Sequence, residues 1–212
     1  MSPRPQIDHI RKPQLLEAAA DVIAERGLAA TRVADVAERV GASPAAVLYW
    51  FGSKDELLAK ALTVEEDRFY GAISERLAAV ERPSERLRTL IEACAADYDW
   101  TLWIELWTRA LRDPGVFEAR RRLDRRWREE IAAVVRAGQD AGEFAQGDAD
   151  LAATILASLL DGLAVQVVLD DPVVTGARMR QLALHAAELI LGCELSQDAA
   201  TERRRDAVEV AR

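Results

Sequence analysis

Cysteine and histidine are scarce in this sequence, since each occurs only twice in 212 residues. Cys94 and Cys193 lie far apart, and no group of these residues has the spacing of zinc ligands. The scarcity argues against a metal cofactor and against a disulfide scaffold. Two isolated cysteines are typical of reduced cytoplasmic proteins, and no apolar signal core follows Met1, so we expect a cytoplasmic location.

The sequence also has no apolar run that is long and free of polar residues. Its longest apolar stretch, Leu151 to Leu169, approaches the ~20 residues that span a bilayer, but Asp161 and Gln166 interrupt it. We interpret this stretch as a buried helix and predict no membrane association. No nucleophile–base pair, metal motif or phosphate-binding loop is recognisable, so the sequence also predicts a protein that is not an enzyme.

Strand patterns are missing too, because no segment alternates polar and apolar residues between turn signals. Apolar residues recur instead with helical period, as at Leu15, Ala19, Val22 and Ile23, and Gly27 ends that helix. Further helix starts are predicted at Thr31, Ser43-Pro44, Ser53, Pro83-Ser84, Asp113-Pro114, Asp148 and about Thr175. The pattern predicts an all-α chain of about nine or ten helices.

The charge distribution separates the first 60 residues from the rest. The net charge is −8, yet residues 1–60 contain eight basic and eight acidic side chains, so residues 61–212 carry the whole excess. A nucleic-acid surface is therefore expected only in the first part of the chain, with its charges segregated on one face. Arg4, Arg11 and Lys12 form a basic start, which is either a minor-groove arm or a disordered tail.

The helices of residues 1–60 have the order of a helix-turn-helix domain. Residues 31–40 form the supporting helix, Gly41 supplies the positive φ of the turn, and Pro44 to Trp50 form a short recognition helix. Small side chains at Ala45 and Ala46 allow close approach to base edges. A long helix that opens with a capping box at Ser53 leads into the remainder of the chain.

The segment Gly27 to Leu58 resembles the signature of the TetR family of transcriptional regulators. It matches at G-x-x-x-T-x-x-x-x-A-x-x-x-G and at the closing F-G-S-K-x-x-L-L. The resemblance implies a three-helix DNA-binding domain, joined by the long helix to a C-terminal helical domain for dimerisation and ligand binding. Most members have tyrosine at the position of Leu48, and this chain does not.

The same resemblance implies roles for individual residues of the domain. Thr31 and Lys54 would contact phosphate, Arg32 would contact phosphate or a base edge, and Ala45 and Ala46 would face bases. Tyr49 and Trp50 would clamp the DNA backbone, while Ser43 and Pro44 open the recognition helix. The complete predicted DNA-binding set is Thr31, Arg32, Ser43, Pro44, Ala45, Ala46, Tyr49, Trp50 and Lys54.

A cluster of tryptophans marks the C-terminal part. Trp100, Trp103 and Trp107 share one helical face, and Trp127 could join them from a later helix. Carboxylates next to aromatic faces bind organic cations, which favours a polyamine or quaternary-ammonium effector. The alternative is ordinary core packing of an aromatic stripe. The predicted ligand-binding set is Trp100, Trp103, Trp107, Asp97, Glu105, Trp127 and Asp161.

Asp161 lies within an apolar helix and therefore needs a partner, so it either lines the ligand pocket or belongs to a structural network.

The C-terminal part resembles the C-terminal domain of the choline-responsive, BetI-type repressor branch of the family. The resemblance lies in the pattern from Trp103 to Pro114 and continues through Trp127-Arg128 and Gly142-Glu143-Phe144.

The last two main helices, 148–169 and 175–191, are predicted to form a four-helix dimer interface. The residues expected to build it are Leu159, Gly162, Leu163, Leu182, Leu189 and Ile190, with His185 in or near it. The predicted domains are 1–60 for DNA binding, 61–195 for ligand binding and dimerisation, and 196–212 as a charged tail.

These features together predict a homodimeric repressor that binds a palindromic double-stranded DNA operator and is released by a small-molecule effector. Two alternatives remain open at this stage: a constitutive DNA-binding regulator without an effector, and a helical small-molecule-binding protein.

Overall fold

The computed structural model describes residues 5–96 and 100–195, with side chains described from residue 12 onward. In these ranges the chain forms nine α-helices and no strand, which confirms the all-α prediction. The helices are α1 (Pro5–Arg26), α2 (Val33–Arg39), α3 (Pro44–Phe51), α4 (Lys54–Ala78), α5 (Pro83–Ala96), α6 (Trp100–Ala110), α7 (Pro114–Asp140), α8 (Ala149–Val168) and α9 (Gly176–Leu191). The predicted tail, 196–212, lies outside the described residues.

The helices are grouped in two compact units that do not follow sequence order. The first unit contains the described residues within Met1–Gly71 and Asp99–Asp124, and therefore includes α6 beside α1, α2 and α3. The second unit contains those within Ala72–Tyr98 and Arg125–Arg212, and includes α5, α8 and α9. The predicted division at residue 60 places α6 with the C-terminal helices, whereas the structure groups it with the N-terminal ones.

In the first unit, α2 packs against both α1 and α3. The predicted stripe on α1 is buried at every position, from Leu15 to Ile23, and Val36 of α2 and Val47 of α3 are fully enclosed as well. Because α1 already begins at Pro5, Lys12 belongs to a helix and not to an extended arm or a tail.

In the second unit, α9 packs against α5 and α8. By length and composition alone, α8 is the one helix among the described residues that could cross a membrane, a test that core helices of soluble proteins also pass. Its buried residues lie on one side of the helix, namely Ala149, Ala152, Ala153, Leu156, Ala157, Leu160, Leu163 and Ala164. This side supplies much of the core of the unit.

Side-chain caps place most helix starts where the sequence predicts them. Ser43 Oγ accepts the N–H of Ala46 at 3.2 Å, and Thr175 Oγ1 accepts the N–H of Arg178 at 3.3 Å. Asp148 Oδ1 accepts two backbone N–H groups at the start of α8. These bonds satisfy donors that a helix cannot satisfy internally.

The predicted cap at Thr31 is wrong. The N-cap residue of α2 is Arg32, in an extended conformation, and its own N–H donates to Asp35 Oδ2 at 3.2 Å. Thr31 Oγ1 instead donates to the carbonyl of Gly27 at 2.7 Å, so the hydroxyl closes the turn that precedes the helix. A threonine hydroxyl can donate to the backbone carbonyl four residues earlier instead of capping a helix, and Thr31 does so.

A tight corner joins α7 to α8 in the second unit. Gly138 lies directly under the ring of Phe144, so that a Cβ added at Gly138 would overlap the ring. The N–H groups of Glu143 and Phe144 both donate to the carbonyl of Gly138, at 2.9 and 3.1 Å. Gln139 Nε2 donates to the carbonyls of Ala145 and Gly147. Gly138 and Gln139 therefore have structural roles at this corner.

Glu143 ties this corner to the start of α5. Its Oε2 accepts the N–H of Ser84 at 3.0 Å and its Oε1 accepts Arg82 Nε at 3.3 Å. Burial acts to raise the pKa of Glu143, but the hydrogen bonds from Ser84 and Arg82 outweigh it and hold that pKa below its ordinary value. The carboxylate is therefore ionised at neutral pH and caps α5 across the unit.

Gly138→Ala should destabilise the protein by about 1–3 kcal/mol, because the added methyl group forces the Phe144 ring out of its place. Gly71→Ala is the matched control, since no atom lies within 4 Å of the added Cβ in the interior of α4. Removing a helical glycine there should raise stability by about 0.5–1 kcal/mol. Urea unfolding of both variants measures the difference, and equal effects of the two substitutions would show that the corner is loosely packed.

Candidate nucleic-acid interface

The recognition helix α3 presents a continuous exposed face. Pro44, Ala45, Leu48 and Tyr49 are exposed, and Tyr49 has 86% of its surface accessible. Val47 and Phe51, on the other side, are fully buried. The division follows helical spacing, so α3 is anchored through one face and offers small side chains and one aromatic ring on the other.

The turn before α3 has the geometry that glycine permits. Gly41 has φ +65°, and the N–H of Ala42 donates to the carbonyl of Ala37 at 2.9 Å. A left-handed residue together with this 6→1 hydrogen bond forms a Schellman motif, which ends α2 and reverses the chain within three residues. The turn therefore sets the angle at which α3 leaves α2.

Phe51 fixes the far end of the recognition helix, a role that no sequence motif indicates. Its ring is 1% exposed, and the ammonium groups of Lys12 and Lys60 each lie 5.8 Å from the ring centroid. Cations over an aromatic face are attracted by the ring quadrupole. Helices α1 and α4 thus hold the last residue of α3 with two charged side chains.

Thr31 and Arg32 stand at the start of α2 in very different surroundings. Thr31 is 1% exposed and its hydroxyl is engaged by Gly27, whereas the side chain of Arg32 is exposed to solvent. Arg32 is therefore available to a phosphate or a base edge. The predicted phosphate contact of Thr31 stays a prediction, and its observed role is in the turn.

Lys54 lies in a cluster of positive charge at the first residue of α4. Partial burial lowers the pKa of Lys54, and the guanidinium groups of Arg109 and Arg32 lower it further. Arg109, on α6, also forms an ion pair with Asp55. Because both guanidinium groups repel the Lys54 ammonium, an anion placed beside Lys54 would be stabilised.

The three tryptophans of α6 are packed, as their shared face predicts. Trp100 and Trp103 are each 7% exposed, and Trp107 is half-buried. The indole N–H of Trp107 is enclosed and has no acceptor among the described residues. Burial of this kind is common to core packing and to a ligand pocket, so both interpretations of the tryptophans remain.

Glu105 does not belong to the tryptophan face. Its Oε2 accepts the backbone N–H of Ala29 at 3.0 Å, in the turn between α1 and α2. Glu105 is close to the tryptophans in the chain, and this proximity alone predicts it in their ligand-binding set. The structure directs this carboxylate to the DNA-binding helices of the first unit.

The other predicted ligand residues lie outside α6. Trp127 and Asp161 belong to the second unit, where both are half-buried, and the indole N–H of Trp127 has no acceptor among the described residues. Asp97 lies outside the described residues. Burial raises the pKa of the Cys94 thiol, and the charge of Asp161 raises it further, which places these two side chains near each other. Burial likewise raises the pKa of Cys193 to about 11.

Two protein families match the chain, one in each part. Residues 15–61 match the bacterial regulatory proteins of the TetR family. Residues 83–192 match the C-terminal domain of BetI-type transcriptional repressors. The transcriptional regulator BetI of Burkholderia lata is 31% identical, in an alignment that covers 91% of this chain and all of that protein. The BetI regulator of Paraburkholderia phymatum is 29% identical over 89% of this chain and 97% of that protein.

Solved structures show the same fold. A protein described as a transcriptional regulator from Saccharomonospora viridis, solved in complex with choline, has a TM-score of 0.69 and 30% identity, covering 82% of this chain and 94% of its own. A TetR transcription regulator from Haloarcula marismortui has a TM-score of 0.70 and 25% identity, covering 86% of this chain and 99% of its own.

The first match covers the short helices with the exposed α3, and the second covers the helices from α5 to α9. They also confirm the resemblance noted in the segment Gly27 to Leu58. The chain belongs to the TetR family of DNA-binding transcriptional regulators, with a C-terminal domain of the BetI type.

Proposed function

We propose that this protein is a homodimeric cytoplasmic repressor that binds a palindromic operator and releases it when a small organic cation binds. DNA recognition is proposed from the exposed face of α3. Arg32 is also exposed, and Lys54 is partly buried near the positive charges of Arg32 and Arg109. In this proposal the two recognition helices of a dimer enter successive major grooves, about 34–36 Å apart. Ala45 and Ala46 face bases, Tyr49 and Trp50 contact the backbone, and Ser43 and Pro44 open the helix toward the DNA.

Partial burial lowers the pKa of the Lys54 ammonium group, and repulsion from the Arg109 and Arg32 guanidinium groups lowers it further. A DNA phosphate placed there would relieve the repulsion and would release counterions from the duplex. The contact therefore strengthens affinity without distinguishing sequences, and discrimination rests on α3.

Arg32→Ala and Lys54→Ala should each weaken operator binding and reduce the salt dependence of log K by about one ion per lost phosphate contact. The measurement is fluorescence anisotropy with a labelled duplex from upstream of the protein's own gene, across a salt series. Arg128→Ala is the control, because this exposed residue of α7 changes the net charge equally outside the helix-turn-helix. If the control weakens binding as much, the two residues act only through net charge.

The homodimer is proposed from the apolar side chains that the second unit leaves uncovered. Ile155 on α8 and Leu189 on α9 are 44% and 72% exposed, and Leu151, Leu169 and Val173 are similarly accessible. Uncovered apolar groups on two neighbouring helices favour association with a second copy across a two-fold axis. Leu163, which the helical pattern predicts in this interface, is buried inside the unit and does not contribute to the exposed face.

Ile155→Glu and Leu189→Glu should each convert the dimer into a monomer, because two carboxylates would face each other across the two-fold axis. Sedimentation velocity measures the change, and circular dichroism should show unaltered helix content. Leu111→Glu provides a control, since Leu111 is 84% exposed and lies in the first unit. A monomeric wild-type protein, or variants that still dimerise, would place the interface elsewhere or remove it.

The effector proposal rests on the tryptophan face of α6. Buried indole rings attract organic cations by ~2 kcal/mol when water is excluded, and the regulator from Saccharomonospora viridis was solved with choline. We therefore assign Trp100, Trp103 and Trp107 to cation binding and leave Glu105 out. Trp127, Asp161 and Asp97 stay predictions of the sequence alone.

Choline or spermidine should raise the melting temperature, because a ligand at a hundred times its Kd stabilises the folded state by ~2.7 kcal/mol. The control ligand is 3,3-dimethylbutan-1-ol, which has the shape of choline without its charge, and it should have no such effect. The same compounds are then added to the operator complex to measure release. Equal stabilisation by the neutral alcohol would contradict cation selectivity, and no shift with either cation would favour a constitutive regulator.

A further inference from the structure

Helix α6 makes contacts through two opposite faces. At 100° per residue, Trp100, Trp103 and Trp107 point to one side, and Glu105 and Arg109 point about 170° away from them. Both faces make contacts: the tryptophans are buried or half-buried, Glu105 contacts the turn between α1 and α2, and Arg109 contacts the first turn of α4.

The charged face of α6 holds the DNA-binding helices at two points. The carboxylate of Glu105 accepts the N–H of Ala29, and its two oxygens lie 3.6 and 3.7 Å from where a Cβ of Gly27 would be. It therefore lies directly over the turn between α1 and α2. One helical turn further on, Arg109 is paired with Asp55 in the first turn of α4.

These two contacts are adjacent to the residues assigned to phosphate. The turn held by Glu105 ends at Thr31, whose hydroxyl donates back to the Gly27 carbonyl, and Arg32 follows as the N-cap of α2. Asp55 is the neighbour of Lys54. A shift of α6 along its axis would displace the turn before α2 and the first turn of α4 together, because Glu105 contacts the former and Arg109 the latter.

Glu105 is suited to positioning and not to folding. The N–H of Ala29 is exposed, so water can take the place of the carboxylate without leaving a buried donor unsatisfied. What is lost with Glu105 is the fixed geometry of the turn. By contrast, Thr31, which is fully buried, cannot be removed without disturbing the core.

We propose that Glu105 is a positioning residue for DNA binding: from α6 it fixes the turn that precedes Arg32, and operator affinity thereby depends on the helix whose opposite face carries the tryptophans. The inference rests on the proposed operator binding and adds to it a residue that positions Arg32.

The test compares Glu105→Ala with Glu105→Gln in the full-length protein. The amide oxygen of glutamine still accepts the Ala29 N–H, so Glu105→Gln should keep the turn, whereas alanine cannot. Glu130→Gln on the exposed side of α7 controls for the loss of one negative charge. Hydrogen-exchange mass spectrometry of peptides that cover 27–33 should show faster exchange in Glu105→Ala only.

Operator binding is then measured by anisotropy across a salt series. Glu105→Ala should weaken binding by about tenfold, with a salt slope lower by about one, because Arg32 is then no longer held at its phosphate. Glu105→Gln and Glu130→Gln should bind at least as well as the wild type. In an Arg32→Ala background, Glu105→Ala should cost less than about twofold, since contacting residues of one network are not additive.

The inference is overturned if exchange at 27–33 is unchanged in Glu105→Ala, if Glu105→Gln is as defective as alanine, or if the effects of Glu105→Ala and Arg32→Ala are additive. A wild-type protein that fails to bind the operator is a different outcome, because it removes the proposed operator contact. Faster exchange in Glu105→Ala would then still establish the hold on the turn.

Discussion

An all-helical chain must satisfy the backbone groups at both ends of every helix, and this constraint determines where the surfaces of this protein lie. Ser43 begins α3 and Gly41 ends the segment before it, so between them they decide which residues of α3 face solvent. The caps at Asp148 and Thr175 do the same for α8 and α9. A shift of one residue at any of these ends would rotate a helix face by about 100° and bury what is now exposed.

The features that the sequence predicts well are those decided by near neighbours. The helical period on α1, the Ser43-Pro44 start and the breaks at glycine all depend on residues within four or five positions of one another. Thr31 shows the limit of this reasoning, because its hydroxyl has two suitable partners nearby. The hydroxyl donates to the Gly27 carbonyl, and the N-cap of α2 is Arg32, whose N–H donates to Asp35.

Glu105 shows why the rest could not be predicted. Its partner, Ala29, is 76 positions away, and a backbone N–H leaves no signature in the sequence. Proximity to the tryptophans in the chain therefore suggested a ligand contact, although the residues point to opposite sides of α6. Phe51 is a similar case, since its two lysines come from α1 and α4 and carry no common motif. Long-range contacts of this kind also explain why the compact units depart from sequence order.

The two cysteines have a consequence for the chemistry to which the regulator can respond. Cys94 is 1% exposed, and burial keeps the pKa of both thiols above the ordinary range. At neutral pH both remain protonated, and a protonated thiol is a poor nucleophile toward peroxides and electrophiles. Neither cysteine therefore supplies a thiolate that oxidants or electrophiles would modify readily at neutral pH.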